Sequence, residues 1–156
     1  MSIVNLRKIL VPHDFSDYSL HALRYAVTLA EHFDSELLVV HVVEPIVYPA
    51  DFSFGQVSIP AMEEEIRKHS EEQLGEVVAS EVPTGATVNT IIRVGKPFAE
   101  IIDFAKRENV DLIVISSHGR TGMDHVLFGS TADKVVRKAP CPVLTIRPHE
   151  HEFVVP

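Results

Sequence analysis

Asp111 to Thr131, DLIVISSHGRTGMDHVLFGST, holds the residues of this chain best suited to binding an anion. The apolar run Leu112 to Ile115 leads into Ser116-Ser117-His118-Gly119-Arg120-Thr121-Gly122. Gly129-Ser130-Thr131 then opens a pattern that places Ala132, Val135 and Val136 on one helical face. A glycine has no Cβ, so the backbone around it can come close to a ligand. The first turn of a helix offers N–H groups without intrahelical partners and the positive end of the helix dipole. Strand, glycine loop and helix start, in that order, suit a phosphate. The other reading is that these glycines only make turns, since such loops are common in α/β proteins. No lysine follows Gly129, so GxxxxGK[ST] is absent, and GxGxxG is absent too. A nucleotide here would be held without the lysine that grips terminal phosphates.

The elements that must position this stretch can be read in order. Leu6 to His13, with Ile9, Leu10 and Val11, reads as a strand that Pro12 ends and Asp14 tips. Ser16-Asp17 caps a helix whose inner face is Ala22, Leu23, Ala26, Leu29, Ala30 and Phe33. Glu36 to Val43 is a second buried strand, interrupted by His41. Residues 44–60, with Pro45, Pro49, Gly55 and Pro60, read as irregular, and segments of this length are often functional flaps. Met62, Ile66, Leu74 and Val77 mark a second helix, whose glutamates form a solvated face rather than a metal site. Ala86 to Val94 is a weaker strand, and Gly95-Lys96-Pro97 breaks into a third helix lined by Phe98, Ile101, Ile102 and Ala105. The last helix ends near Lys138, and Val143 to Ile146 is the last strand.

The alternation predicts an α/β fold: a single doubly wound, Rossmann-like domain over residues 1–148, with a short tail at 149–156. Its five-stranded parallel sheet has the expected order 3-2-1-4-5. That order makes strands one and four neighbours, and ligands bind outside the carboxyl ends of strands at such a switch point. Asp14 therefore faces the glycine loop across a crevice.

Composition narrows the function. Lys and Arg number 14 against 22 Asp and Glu, a net charge of −8, which argues against a general nucleic-acid or anionic-membrane partner. Cys141 is alone, so a reducing compartment is expected, and nothing near it in sequence would activate the thiol. No apolar run reaches transmembrane length and no signal-peptide pattern opens the chain, so a cytoplasmic location is expected. His149-Glu150-His151 offers too few ligands for a zinc site, and no metal site from protein side chains is expected.

The chain resembles the universal stress proteins of the UspA superfamily over essentially its whole length. The matching features are Lys8-Ile-Leu-Val-Pro-His-Asp14-Phe-Ser16, Val40-His41-Val42, Val94-Gly95-Lys-Pro97, Ser117-His118-Gly119-Arg120-Thr121-Gly122 with Gly129-Ser130, and Ala139-Pro-Cys-Pro-Val-Leu. Nucleotide-binding members carry a glycine, two residues, a glycine, nine residues, then Gly-Ser or Gly-Thr. Gly119 and Gly129-Ser130 match, while Ser116 stands where the first glycine belongs. The resemblance implies an adenine nucleotide, ATP or AMP, with Mg²⁺ or Mn²⁺ on its phosphates as an accompanying ion. It implies that Pro12, His13 and Asp14 meet the base and ribose and that Val42 lies by the adenine. Ile115, Ser116 and Gly119 would line the ribose and phosphate path. Gly129, Ser130 and Thr131 would take the phosphates, with His118 and Arg120 as further donors. It also implies a homodimer through the last strand. The expected role is a stress-response or regulatory factor. A slow ATP hydrolase and a dimerising module without nucleotide are the alternatives. Phosphoryl transfer needs a metal, cations and a water-orienting group. Asp124 and His125 are the residues available for it, and no catalytic set is assigned.

Overall fold

The apolar runs become strands because each can bury both of its faces. Successive side chains on a strand point to opposite sides of the sheet. Ile9, Val11, Leu37, Val39 and Val114 fall on one side, against Ala22, Leu23, Ala26 and Leu74. Leu10, Leu38, Val40, Ile113 and Ile115 fall on the other, against Ile101, Phe104, Ala105, Ala132 and Val135. A computed structural model describes residues 4–47, 59–120 and 128–147. In chain order these form β1 (Lys8–Pro12), α1 (Asp17–Phe33), β2 (Glu36–Val43), α2 (Ile59–Glu81), β3 (Val88–Val94), α3 (Pro97–Arg107), β4 (Leu112–Ser116), α4 (Ser130–Lys138) and β5 (Val143–Ile146).

The sheet is parallel throughout, in the order β3-β2-β1-β4-β5. Helices α1 and α2 cover one face and α3 and α4 the other, as a doubly wound sheet requires. The predicted fold class and strand order therefore hold.

Several boundaries differ from the sequence reading. β1 starts at Lys8 rather than Leu6, and the N–H groups of Arg7 and Lys8 donate to the Asp111 carboxylate at 2.8 and 2.9 Å. α2 starts at Ile59, so Pro60 is helical rather than part of an irregular segment. A proline is tolerated in a first turn, where its missing N–H would have had no helical acceptor. β3 starts at Val88 rather than Ala86. Val136 and Phe33 are 45% and 41% exposed, so neither belongs to the inner face assigned to it. Residues 48–58, the Asp124-His125 pair and the His149-Glu150-His151 tail lie outside the described residues. Among the described residues no helix is long and apolar enough to cross a membrane.

Candidate functional site

β1 and β4 are neighbours, and the helices that follow them, α1 and α4, lie on opposite faces of the sheet. Where these two strands end lies a cavity of about 680 Å³. All twelve residues expected at a ligand site line it: Pro12, His13, Asp14, Val42, Ile115, Ser116, His118, Gly119, Arg120, Gly129, Ser130 and Thr131. Phe15, Ser19, His41, Ile66, Ser70 and Gln73 line it as well and were missed by the sequence reading. No local signal marks the α2 residues among them, because which helical face meets the cavity is set by packing.

The turn out of β1 is built from consecutive side-chain acceptors. The His13 N–H still donates to Val40 O, at 2.8 Å. The His13 Nδ1 then accepts the Phe15 N–H at 3.1 Å, and Asp14 Oδ1 accepts the Ser16 N–H at 3.0 Å. A side chain that accepts an N–H two residues on imitates a backbone turn. The Ser16 hydroxyl also donates to Asp14 Oδ1, and its oxygen caps α1 by accepting the Ser19 N–H at 3.2 Å. Ser16 is thus the cap, as expected, and Asp14 supports it. Phe15 pays for the tightness of the turn with a φ of 65°. A bulky residue there is a true outlier, of the kind that gathers at functional sites.

The glycine loop docks on this turn. The Arg120 N–H donates to Asp14 Oδ2 at 3.0 Å, and Arg120 Nε donates to Asp14 O at 2.7 Å. Arg120 therefore reaches back to β1, with its guanidinium 6.0 Å from the Phe15 ring centroid. Close approach is what makes Gly119 a glycine: a Cβ there would stand 2.9 Å from Asp14 Oδ2. Burial alone would raise the Asp14 pKa. Hydrogen bonds from Ser16, Ser19 and the Arg120 backbone outweigh it and hold the carboxyl below its ordinary value.

Ser116 adopts no left-handed conformation, since the positive-φ residues other than glycine among those described are Phe15, Asp34 and Asn109. Serine therefore carries no backbone penalty where the family pattern has glycine. Its hydroxyl donates to His118 O at 2.7 Å, which commits its proton within the loop. His118 Nδ1 lies 2.9 Å from the Ser117 hydroxyl, and its ring lies 5.8 Å from that of Tyr18. Gly129, the N-cap of α4, has φ −64° and ψ 156°, ordinary extended backbone that needs no glycine. Gly129, Ser130, Thr131 and Ala132, the N-cap and first turn of α4, line the cavity, and the N-cap makes no side-chain hydrogen bond to the first-turn N–H groups.

Two imidazoles sit behind the turn. His13 and His41 are 4% and 7% exposed, and His41 Nδ1 donates to His13 O at 2.8 Å. Burial lowers both pKa values, that of His13 to about 4; the Asp14 and Glu81 charges oppose the shift and His41 adds to it. Because Nδ1 of His13 accepts, the proton of its neutral ring is on Nε2. That atom is buried and has no hydrogen-bond partner among the described residues.

This arrangement predicts an acid sensitivity of definite sign. Above pH 6.5 the ring is neutral in the folded and the unfolded chain alike. As pH falls from 6.5 to about 4, the unfolded chain gains a proton that the folded chain refuses, and stability drops. Crossing the whole window removes up to about 3 kcal/mol. Urea unfolding should show a midpoint that changes little near pH 7 and falls increasingly as pH drops from 6.5 to 5. A flat midpoint over that range would mean that the ring is open to protons in the folded state.

A parallel sheet in the order β3-β2-β1-β4-β5 with helices on both faces defines a doubly wound, Rossmann-like α/β protein. The sequence pattern of the Universal stress protein family matches residues 5–147, and the chain belongs to that family. It is 35% identical over 149 residues to Universal stress protein MJ0531 of Methanocaldococcus jannaschii, covering 94% of this chain and 85% of that one. Among solved structures it resembles the universal stress protein UspA from Lactobacillus plantarum, with a TM-score of 0.75, 31% identity, and 92% and 99% of the two chains covered. It also resembles the universal stress protein from Archaeoglobus fulgidus in complex with dAMP, with a TM-score of 0.62, 26% identity, and 92% and 99% covered.

Proposed function

We propose that this universal stress protein binds an adenine nucleotide, AMP or ATP, in the crevice between the ends of β1 and β4, and acts as a regulatory or stress-response factor. The observation that carries the reading is the shared cavity: the β1 turn, the glycine loop and the start of α4 all open into one space. Its volume of about 680 Å³ lies within the usual range for small-molecule pockets. The α4 end offers N–H groups and the Ser130 and Thr131 hydroxyls to phosphate oxygens. The base would lie toward Val42, whose side chain joins the apolar layer of Ile115 and Ile101. The relative in complex with dAMP supports the same ligand class. A divalent ion would be held chiefly by the phosphates. Among the described residues no group of three His, Cys, Asp or Glu side chains could hold one. The test is calorimetry with AMP, ADP and ATP, together with analysis of nucleotide released from the denatured protein. No heat, no thermal shift at millimolar ligand and no co-purified nucleotide would end the proposal.

The second part of the proposal is a homodimer through β5. In the described residues β5 pairs with β4 on one side and lies at the end of the sheet. Leu144 on β5 and Val136 on the neighbouring α4 are 38% and 45% exposed. The opposite edge, β3, carries Arg93, a charged residue of the kind that discourages pairing. β5, VLTI, has no such protection. An isologous antiparallel pairing across a two-fold axis would satisfy its free backbone groups. Thr145→Pro removes a donor and places a ring in that ladder. Light scattering should find a dimeric parent and a weakened or monomeric variant at equal concentration. A monomeric parent would refute the dimer, and an unchanged dimer in the variant would move the interface off β5.

A further inference from the structure

The strain at Phe15 has an identifiable support. A phenylalanine at φ 65° stays there only if its surroundings over-determine it. Its N–H is held by His13 Nδ1 at 3.1 Å, and its ring lies 4.4 Å from that of His41 and 5.5 Å from that of His13. His41 in turn fixes the His13 backbone through the 2.8 Å bond to its carbonyl. The next residue, Asp14, receives both the backbone and the side chain of Arg120. A continuous set of contacts thus runs from His41 through His13, Phe15 and Asp14 to the glycine loop.

We propose that His13 is a positioning residue for the crevice: as a neutral hydrogen-bond acceptor it holds the β1–α1 turn in the shape on which the glycine loop docks. Its consequence for ligand binding rests on the nucleotide reading above; its effect on the loop does not. His13 acts at a distance, because Nε2 is enclosed and Nδ1 is committed to Phe15. Protonation would put a second N–H on the ring, facing the Phe15 N–H donor to donor, and the contact would be lost. The charged and titratable groups bearing on the ring are Asp14 on the same turn, His41 from β2 and Glu81 from α2. Arg120 bears on His41, and His69 of α2 lines the same cavity. Among the described residues the buried Nε2–H finds no partner, and a buried polar group of that kind calls for an explanation. Holding the turn supplies one.

The test compares the parent with His13→Asn and His13→Leu. An asparagine Oδ1 falls near the position of Nδ1, so it keeps an acceptor and cannot take up a proton. Leucine fills space without an acceptor. Two readouts apply: AMP affinity by calorimetry at pH 7.5, and amide exchange at Phe15, Gly119 and Arg120. Asparagine should bind AMP within roughly threefold of the parent, and leucine at least about tenfold more weakly. Amide exchange at Arg120 should speed up in the leucine variant and not in the asparagine variant. In a Phe15→Gly background, where the left-handed turn is free of strain, the gap between the two His13 variants should close. A folded leucine variant with parental affinity and parental exchange overturns the proposal. So does an asparagine variant that loses Arg120 protection as fully as leucine does. If the leucine variant does not fold, asparagine decides: it must keep Arg120 protection, and its urea midpoint must fall much less than the parent's between pH 7 and pH 5. A parent that binds none of AMP, ADP and ATP would remove the nucleotide reading, and the exchange comparison would still judge the role of His13.

Discussion

Asp14→Ala is expected to destabilise the protein by about 2–4 kcal/mol and to abolish measurable nucleotide binding. The carboxylate accepts the Ser16 N–H, the Ser16 hydroxyl and the Arg120 N–H, and the Asp14 pKa is held down by the same bonds. Hydrogen bonds to a charged acceptor are the strong ones, and removing one partner leaves the others unsatisfied. Asp14→Asn separates the two ends of the clasp. Its oxygen can still accept from Ser16, but its NH₂ then faces the Arg120 N–H, or the reverse if the amide is flipped. Asparagine should therefore keep much of the stability and lose the docking of the loop. Urea unfolding measures the first and calorimetry with AMP the second. An alanine variant as stable as the parent would show that the turn is held without the carboxylate.

Gly129→Val should leave the fold intact and weaken AMP at least about tenfold, or 1.4 kcal/mol. The backbone at Gly129 is extended, with φ −64°, so a β-branched residue can adopt it. An added Cβ would meet Ser117 O at 3.4 Å, with Gly119 N and His118 Cα at 3.9 Å, a tight but tolerable fit. The two methyl groups beyond it must then turn toward the space in front of the α4 N–H groups, where a phosphate would sit. The expected defect is thus steric exclusion at the helix start. Backbone strain would predict a different result, a variant that melts early. Native circular dichroism with lost binding supports the exclusion; native circular dichroism with parental affinity removes Gly129 from the phosphate site.

The sequence by itself determined the layers and the order of the sheet. Apolar runs such as Leu112 to Ile115 are legible because a strand buried on both faces needs no polar side. Once nine elements alternate, crossover rules leave few ways to wind them, and the switch point follows. The crevice was legible for the same reason, since Asp14, the loop after β4 and the start of α4 are strand ends and a helix start whose places the topology dictates. The individual residues expected there came from the family resemblance, and Phe15, Ser19, His41 and the α2 residues were not among them. The tertiary structure alone decided how those residues are used. Arg120 turns back to Asp14 across 106 positions, a contact that neither local stretch encodes. Ser116 replaces a glycine without strain because its backbone lies outside the left-handed region, and its hydroxyl finds His118 O. Ile66, Ser70 and Gln73 enter the cavity wall because Leu74 anchors one face of α2 in the core and so fixes the rotation of the rest. The left-handed Phe15 lies furthest from anything in the sequence. No propensity places a phenylalanine there; two buried imidazoles from different strand ends do, and only folding brings them together.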